Sequence, residues 1–263
     1  MHKAMQMEDW AAGVESFFEC SKDEPYCSTD DERFDQIYPP RVRKLSWPHW
    51  TPVAVASEAA KLLVRKRGTR VLDIGCGPGK FCLIGAALTD GHFTGIEQRS
   101  HLAKAARQAA LNQGIYNVEI IHGNITSVSF SNYDAFYLFN PFEENMFERQ
   151  KIDGAVPLSA ALYKKYTRYV AAELRAKPIG TRVATYTGHS HEVPSCYNCQ
   201  LSGFAGSLKL WVKVREPVPD DEPFDTLLYR SGRVPTDRFF RTQMKWPVKG
   251  GALARSAYDT RSY

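Results

Sequence analysis

Two hydrophobic periods alternate along this chain of 263 residues. From residue 53 to 66, Val, Ala and Leu recur at three- and four-residue intervals, as one buried helix face requires. That pattern closes at Arg67-Gly68, a basic last turn followed by a glycine stop. Val71-Leu72-Asp73-Ile74 then runs with little polar alternation, which is how a strand covered on both faces reads. Helical spacing returns over residues 80–88. A second strand spans Gly91 to Ile96 with Glu97 at its end, an alanine-rich helix spans Ser100 to Asn112 with Ser100 as its cap, and a third strand runs from Asn117 to Ile121. Tyr133 to Leu138 predicts a fourth strand. Glu143 to Glu148 predicts the start of a helix that Pro157 to Ala176 continues, Thr181 to Thr187 a fifth strand, and Leu208 to Val214 a last one with Trp211 as its large core residue. The alternation predicts an α/β fold, a doubly wound and mostly parallel sheet.

The flanks read differently. Residues 1–38 carry ten acidic side chains against three basic ones, yet include Trp10, Phe17, Phe18, Phe34 and Tyr38, enough aromatic surface to dock as an N-terminal helical extension. Tyr38 to Pro52 holds four prolines with Trp47 and Trp50 and predicts a strap that covers something. Residues 231–263 carry seven basic side chains against two acidic ones, with Phe239, Phe240, Trp246 and Tyr258 between them, and no periodic element, as in a solvated tail. The predicted organisation is an extension and lid over 1–52, one domain over 53–215 and a basic tail over 216–263.

Composition narrows the class. With 43% hydrophobic and 24% charged residues the chain is an ordinary soluble enzyme by content, and its net charge is +5. No apolar run approaches a membrane span, and residues 1–10 lack the apolar core of a signal peptide; a cytoplasmic protein without a membrane partner is expected. Six scattered cysteines are expected to be reduced thiols, and the spacing of Cys20 and Cys27 is poor for a metal.

Gly75, Gly77 and Gly79 stand where the first strand turns into a helix, a place that asks for positive φ and for close approach of backbone to a ligand. The spacing G-x-G-x-G lacks both the G-K-[ST] of a phosphate loop and the G-x-G-x-x-G of dinucleotide enzymes. Asp73 precedes it, and Glu97 follows at the next strand end. On these residues the chain resembles the class I S-adenosylmethionine-dependent methyltransferases, whose motif commonly reads V-L-D-I-G-C-G-x-G. The resemblance implies a seven-stranded Rossmann-like methyltransferase fold with S-adenosyl-L-methionine as cofactor. It places Asp73, Gly75, Cys76, Gly77 and Gly79 at the methionine end, and Glu97 with its neighbour Gln98 at the ribose. Asn124, in His122-Gly123-Asn124, falls at the adenine, and Thr51 with Pro52 and Trp50 falls along the pocket. A ligand-free Gly-Asn turn and a strap packed on the sheet edge are the plainer alternatives.

The fourth strand runs into Phe139-Asn140-Pro141-Phe142. This resembles the [DN]-P-P-[YF] motif of enzymes that methylate amide, amino or exocyclic base nitrogen, although it lacks the second proline. The Asn140 side-chain carbonyl and the Pro141 backbone carbonyl would accept the two N–H bonds of an acceptor nitrogen, and Phe142 would stack on a planar acceptor or flank a lysine chain. The alternative is a strand-closing turn with Phe142 in the core. His189, His191, Cys196 and Cys199 have tetrahedral ligand types, but a polar substrate loop with no metal is expected, with His191 and Glu192 as candidate proton acceptors. The expected activity is N-methylation of a macromolecular acceptor, a protein side chain or nucleic-acid base; a small-molecule methyltransferase and a non-catalytic cofactor-binding module stay open beside it.

Overall fold

The computed structural model describes residues 28–147, 151–188 and 190–218. The expectations for Trp10, Phe17, Phe18, Cys20, Cys27, His189 and the basic residues of the tail lie outside the described residues. Of the two compact units of the chain, Met1–Asp225 and Thr226–Tyr263, only the first contains described residues.

Helix α1 (Ser28–Asp35) and two short helical turns, Pro40–Arg43 and Ser46–His49, lead to α2 (Val53–Leu63). Strand β1 (Arg70–Ile74), α3 (Lys80–Leu88), β2 (His92–Glu97), α4 (Ser100–Asn112), β3 (Val118–His122) and β4 (Ala135–Leu138) follow. After α5 (Ala160–Arg175) come β5 (Arg182–Tyr186), β6 (Tyr197–Gly203) and β7 (Leu208–Lys213). The seven strands lie in the order β3-β2-β1-β4-β5-β7-β6. All pairings from β3 to β5 are parallel, and β7 pairs antiparallel with both β5 and β6. The chain order reverses between β1 and β4, the switch point at which doubly wound sheets open a crevice beyond their strand ends.

Strand periodicity explains the two cores. Val71, Ala135, Tyr137, Ala184 and Tyr186 face one way, into a cluster with α2, α3 and α4; Leu72, Ile74, Phe136, Leu138 and Val183 face the other, toward α5. On α5, Tyr166, Val170 and Leu174 repeat every four residues and are all buried, each contributing roughly 1.5–3 kcal/mol of apolar burial. Below them Lys177 reaches the Phe130 carbonyl at 2.8 Å, and the Tyr197 hydroxyl donates to the Leu174 carbonyl at 2.9 Å.

Three predicted elements differ. Glu143–Asn145 is a single 3-10 turn, and α5 starts only at Ala160, because Arg99 draws Glu144 and Asp153 out of any helical register (2.7 and 2.9 Å). Strand β6 occupies sequence expected to be loop; its residues after Tyr197 lie at the surface, so no alternation marks it, and pairing with β7 alone makes it a strand. Helix α4 is capped at Arg99 without a side-chain bond; Ser100 is its first helical residue, not its cap.

Candidate active site

Between β1 and α3 the backbone turns through three left-handed glycines, Gly75 (φ 76°), Gly77 (φ 55°) and Gly79 (φ 78°). Two of them are also needed for closeness. A side chain on Gly77 would stand 2.7 Å from Trp50 Cζ3, and one on Gly75 would stand 2.9 Å from Pro141 Cβ. The strap therefore lies over the glycine loop and not on the sheet edge. Trp50 is buried there, and the neighbouring Thr51 hydroxyl meets the Tyr137 hydroxyl at 2.9 Å. The ends of β1 and β4 touch through Gly75 and Pro141.

Most of the loop's N–H groups have partners within the protein. Gly75 and Cys76 both donate to the Ile96 carbonyl, Gly79 donates to the Cys76 carbonyl, and Gly77 donates to Glu97 Oε2 at 3.0 Å. Glu97 Oε1 accepts from the Arg99 N–H at 2.7 Å. Burial raises the Glu97 pKa, while those two N–H groups and the Arg99 charge act against the rise. Glu97, expected at a ribose, thus also locks the loop to β2, with one hydrogen bond on each oxygen. Gln98 beside it is half-buried, its carbonyl 3.2 Å from His122 Nε2. Gly79 gives α3 no side-chain cap, so the first turn of that helix keeps its positive end without one.

Asp73 is 3% exposed and sits in β1 between Gly95 and Tyr137. Its carboxylate accepts one weak bond, from the Cys82 thiol at 3.4 Å. Burial pushes its pKa up to about 8, eased by that thiol and reinforced by the Glu97 charge. A buried carboxylate with so little compensation suits a cationic partner. Asn124 lies one strand further on. Its Oδ1 caps the turn Ile125–Ser127 through Thr126, and its Nδ2 donates to the Tyr166 hydroxyl at 2.8 Å.

Across the crevice Asn140 adopts φ 42°, and Thr187, Gly188 and Ser190 beyond β5 are left-handed too, a concentration of strain that a simple strand connection does not need. Asn140 Nδ2 donates to Thr187 Oγ1 at 2.7 Å, and the side chains of Asn140 and Glu143 crowd the space a side chain at Gly188 would take. Phe142 is not placed to stack on a ligand. It is 5% exposed in the α5-side core, its ring 5.5 Å from that of Tyr166. His191 Nδ1 meets the Tyr163 hydroxyl at 3.1 Å; Cys196 is buried and Cys199 is exposed on β6. No group of three His, Cys, Asp or Glu side chains among the described residues is arranged to hold a metal ion.

Sequence reasoning did not single out four residues that shape the site. Arg99, 2% exposed, joins the end of β2 to the turn after β4 through a bidentate bond to Glu144 and one to Asp153. Lys80, equally buried, holds α1 to the glycine loop through Asp31 (2.5 Å) and Asp35 (2.9 Å). Thr187 and Glu143 join the acceptor side. The lysine directly after Gly79 was the one local signal available; the rest depend on partners more than forty residues away.

Residues 65–169 match a family model described as a methyltransferase domain, and the sheet is seven-stranded and mostly parallel. Over 75 residues the chain is 33% identical to the demethylmenaquinone methyltransferase of Listeria monocytogenes, a match covering 28% of this chain and 32% of that protein. It thus spans about a third of the length of the curated relatives it matches. Among solved structures, it is 19% identical to an RNA methyltransferase from Salinibacter ruber in complex with S-adenosyl-L-homocysteine, covering 65% of this chain and 98% of that one with a TM-score of 0.48. It is 18% identical to TrmN from Thermus thermophilus, covering 65% and 51% with a TM-score of 0.45.

Proposed function

We propose that the protein is an S-adenosylmethionine-dependent methyltransferase that methylates nitrogen on a macromolecular acceptor in the cytoplasm, with residues 53–215 as its catalytic domain, 1–52 as its lid and 216–263 as a basic tail. The observation that carries this reading is Asp73, a buried carboxylate with only a thiol donor, beside an uncapped helix start and a left-handed glycine loop. These residues fit a zwitterion. Asp73 would hold the ammonium of the methionine moiety and the first turn of α3 its carboxylate, with Glu97 and Gln98 at the ribose and Asn124 at the adenine. The bound cofactor supplies a sulfonium methyl group. The protein's part is alignment: Asn140, held by Thr187, and the Pro141 carbonyl accept the N–H bonds of the acceptor so that its lone pair faces the methyl carbon.

A macromolecular acceptor is supported by the outer surface of the strap, where Arg41, Lys44 and Trp47 are exposed next to the covered loop. A small-molecule acceptor is the second reading, favoured by the name of the Listeria relative. Calorimetric titration with S-adenosylhomocysteine at pH 7 tests the first step. One-to-one binding is expected with release of up to one proton, since Asp73 starts largely protonated and must ionise to meet an ammonium. Absence of binding overturns the reading. Transfer of a labelled methyl group to the macromolecular fraction of a cell extract, and not to the small-molecule fraction, decides the acceptor class.

A further inference from the structure

The strap over the glycine loop has two faces. Tyr38, Val42, Ser46 and Trp50 recur every four residues along its helical turns, and all are buried. Trp50 in this row lies on Gly77, and its Nε1 donates to the Val42 carbonyl at 3.4 Å, so the row faces the loop. Arg41, Lys44 and Trp47 recur every three residues between them and are exposed, Trp47 by 49%. The chain has no acidic side chain from residue 36 to residue 57, and Arg41, Arg43 and Lys44 all fall within that run. Arg43 turns away to Gln36, while Arg41 and Lys44 make no ion pair among the described residues. On α1, Asp31 and Asp35 are buried against Lys80, which leaves Asp30 and Glu32 as the outer acids of that helix.

We propose that the outer face of the strap receives a single-stranded nucleic acid as the methyl acceptor, with a base stacked on Trp47 and backbone phosphates on Arg41 and Lys44. The inference rests on the methyltransferase reading and names its acceptor class. The placement suits the role. Trp50 meets the glycine loop at Gly77 and Pro141 meets it at Gly75, so the strap and the Asn140-Pro141 turn flank one loop, and a strand lying on the first is led to the second.

The mixture of side chains selects the partner. Two unpaired cations beside an exposed indole match a polymer that repeats an anionic phosphate and a planar ring. An acidic peptide supplies the charge and leaves the indole unmatched. A bilayer surface asks for a row of apolar side chains, whereas Trp47 stands with Arg41, Lys44 and Pro48 on this face. Bases in a duplex are stacked on each other, so only a single strand has rings to offer.

The test measures binding of a short labelled single-stranded RNA to the full chain by fluorescence anisotropy over a range of salt concentrations. The same RNA as a duplex, polyglutamate and phosphatidylserine vesicles are the comparison probes. The single strand is expected to bind at least about tenfold tighter than the duplex or polyglutamate. Trp47→Ala is expected to weaken it about tenfold, with Trp47→Phe recovering part of the loss. Arg41→Ala combined with Lys44→Ala is expected to reduce the log–log salt slope by about 1.4, the share of two phosphate contacts. All three side chains are at the surface, so melting temperatures should match the parent. Equal or tighter binding of the duplex, polyglutamate or the vesicles overturns the proposal, as does RNA binding that the strap variants leave unchanged. Failure to bind S-adenosylhomocysteine sinks the methyltransferase reading and the acceptor role with it. Intact S-adenosylhomocysteine binding with no strap-dependent RNA binding sinks this proposal alone.

Discussion

The two sides of the crevice are built on opposite plans. On the β1–β2 side the polar groups are largely compensated inside the protein: Gly77 and Arg99 donate to Glu97, Lys80 is held by two aspartates, and Trp50 closes over Gly77. Asp73 is the exception. On the β4–β5 side the compensation is incomplete: three non-glycine residues take left-handed backbone, and burial raises the pKa of Glu143 and of Glu192 to about 7. A ligand common to a whole family can be met by rigid backbone close in sequence. A ligand particular to one protein is met by side chains that loops bring together, and those loops carry the strain.

Removing the anchor of the compensated side should cost most. Lys80→Met leaves Asp31 and Asp35 buried without their cation and is expected to lower unfolding free energy by about 3–5 kcal/mol in denaturant titrations. A loss below about 1 kcal/mol would mean that α1 is not held to the glycine loop as described. Gly77→Ala comes next, at about 2–4 kcal/mol, because a left-handed alanine must also displace Trp50. Gly68→Ala is its control: φ is 76° but nothing lies within 4 Å, so only the backbone term of about 1–2 kcal/mol should appear. Equal effects at the two glycines would remove Trp50 from the loop.

Asp73→Asn is expected to weaken S-adenosylmethionine binding about 100-fold, roughly 2.7 kcal/mol, without lowering the melting temperature. Its pH behaviour sharpens the point. Burial raises the folded pKa from 3.8 to about 8, so the folded state holds a proton that the unfolded state has released. Stability from this group is therefore present below pH 4 and lost as pH rises toward 8, a slope the asparagine variant should lack. Affinity for the cofactor should rise over the same approach to pH 8 in the parent and stay flat in the variant. On the acceptor side Thr187→Val should have the smallest effect: about 1 kcal/mol, a several-fold fall in turnover with unchanged cofactor affinity, as Asn140 loses its 2.7 Å hydrogen bond. A change in cofactor affinity instead would join the two sides that the structure keeps apart.

Much of the first side is legible in the chain. Val71-Leu72-Asp73-Ile74 has to be covered on both faces because it offers no polar face, and Gly75, Gly77 and Gly79 mark left-handed backbone because other residues pay a steric cost there. These are local effects, decided within a few residues by sterics and hydrophobic period. The sequence also determined that a turn follows the fourth strand at Asn140-Pro141. What that turn does lies elsewhere in the chain. Residues 143–148 look helical until Arg99, forty-five residues before Glu144, pulls that acid to itself. Tyr197 to Gly203 looks like loop until β7 supplies its hydrogen bonds. Only the tertiary structure turned Phe142 into the core and set Thr187 on Asn140. Contacts of that kind depend on which loops the sheet order places side by side, and a strand pairing across many residues leaves no periodic trace in either partner.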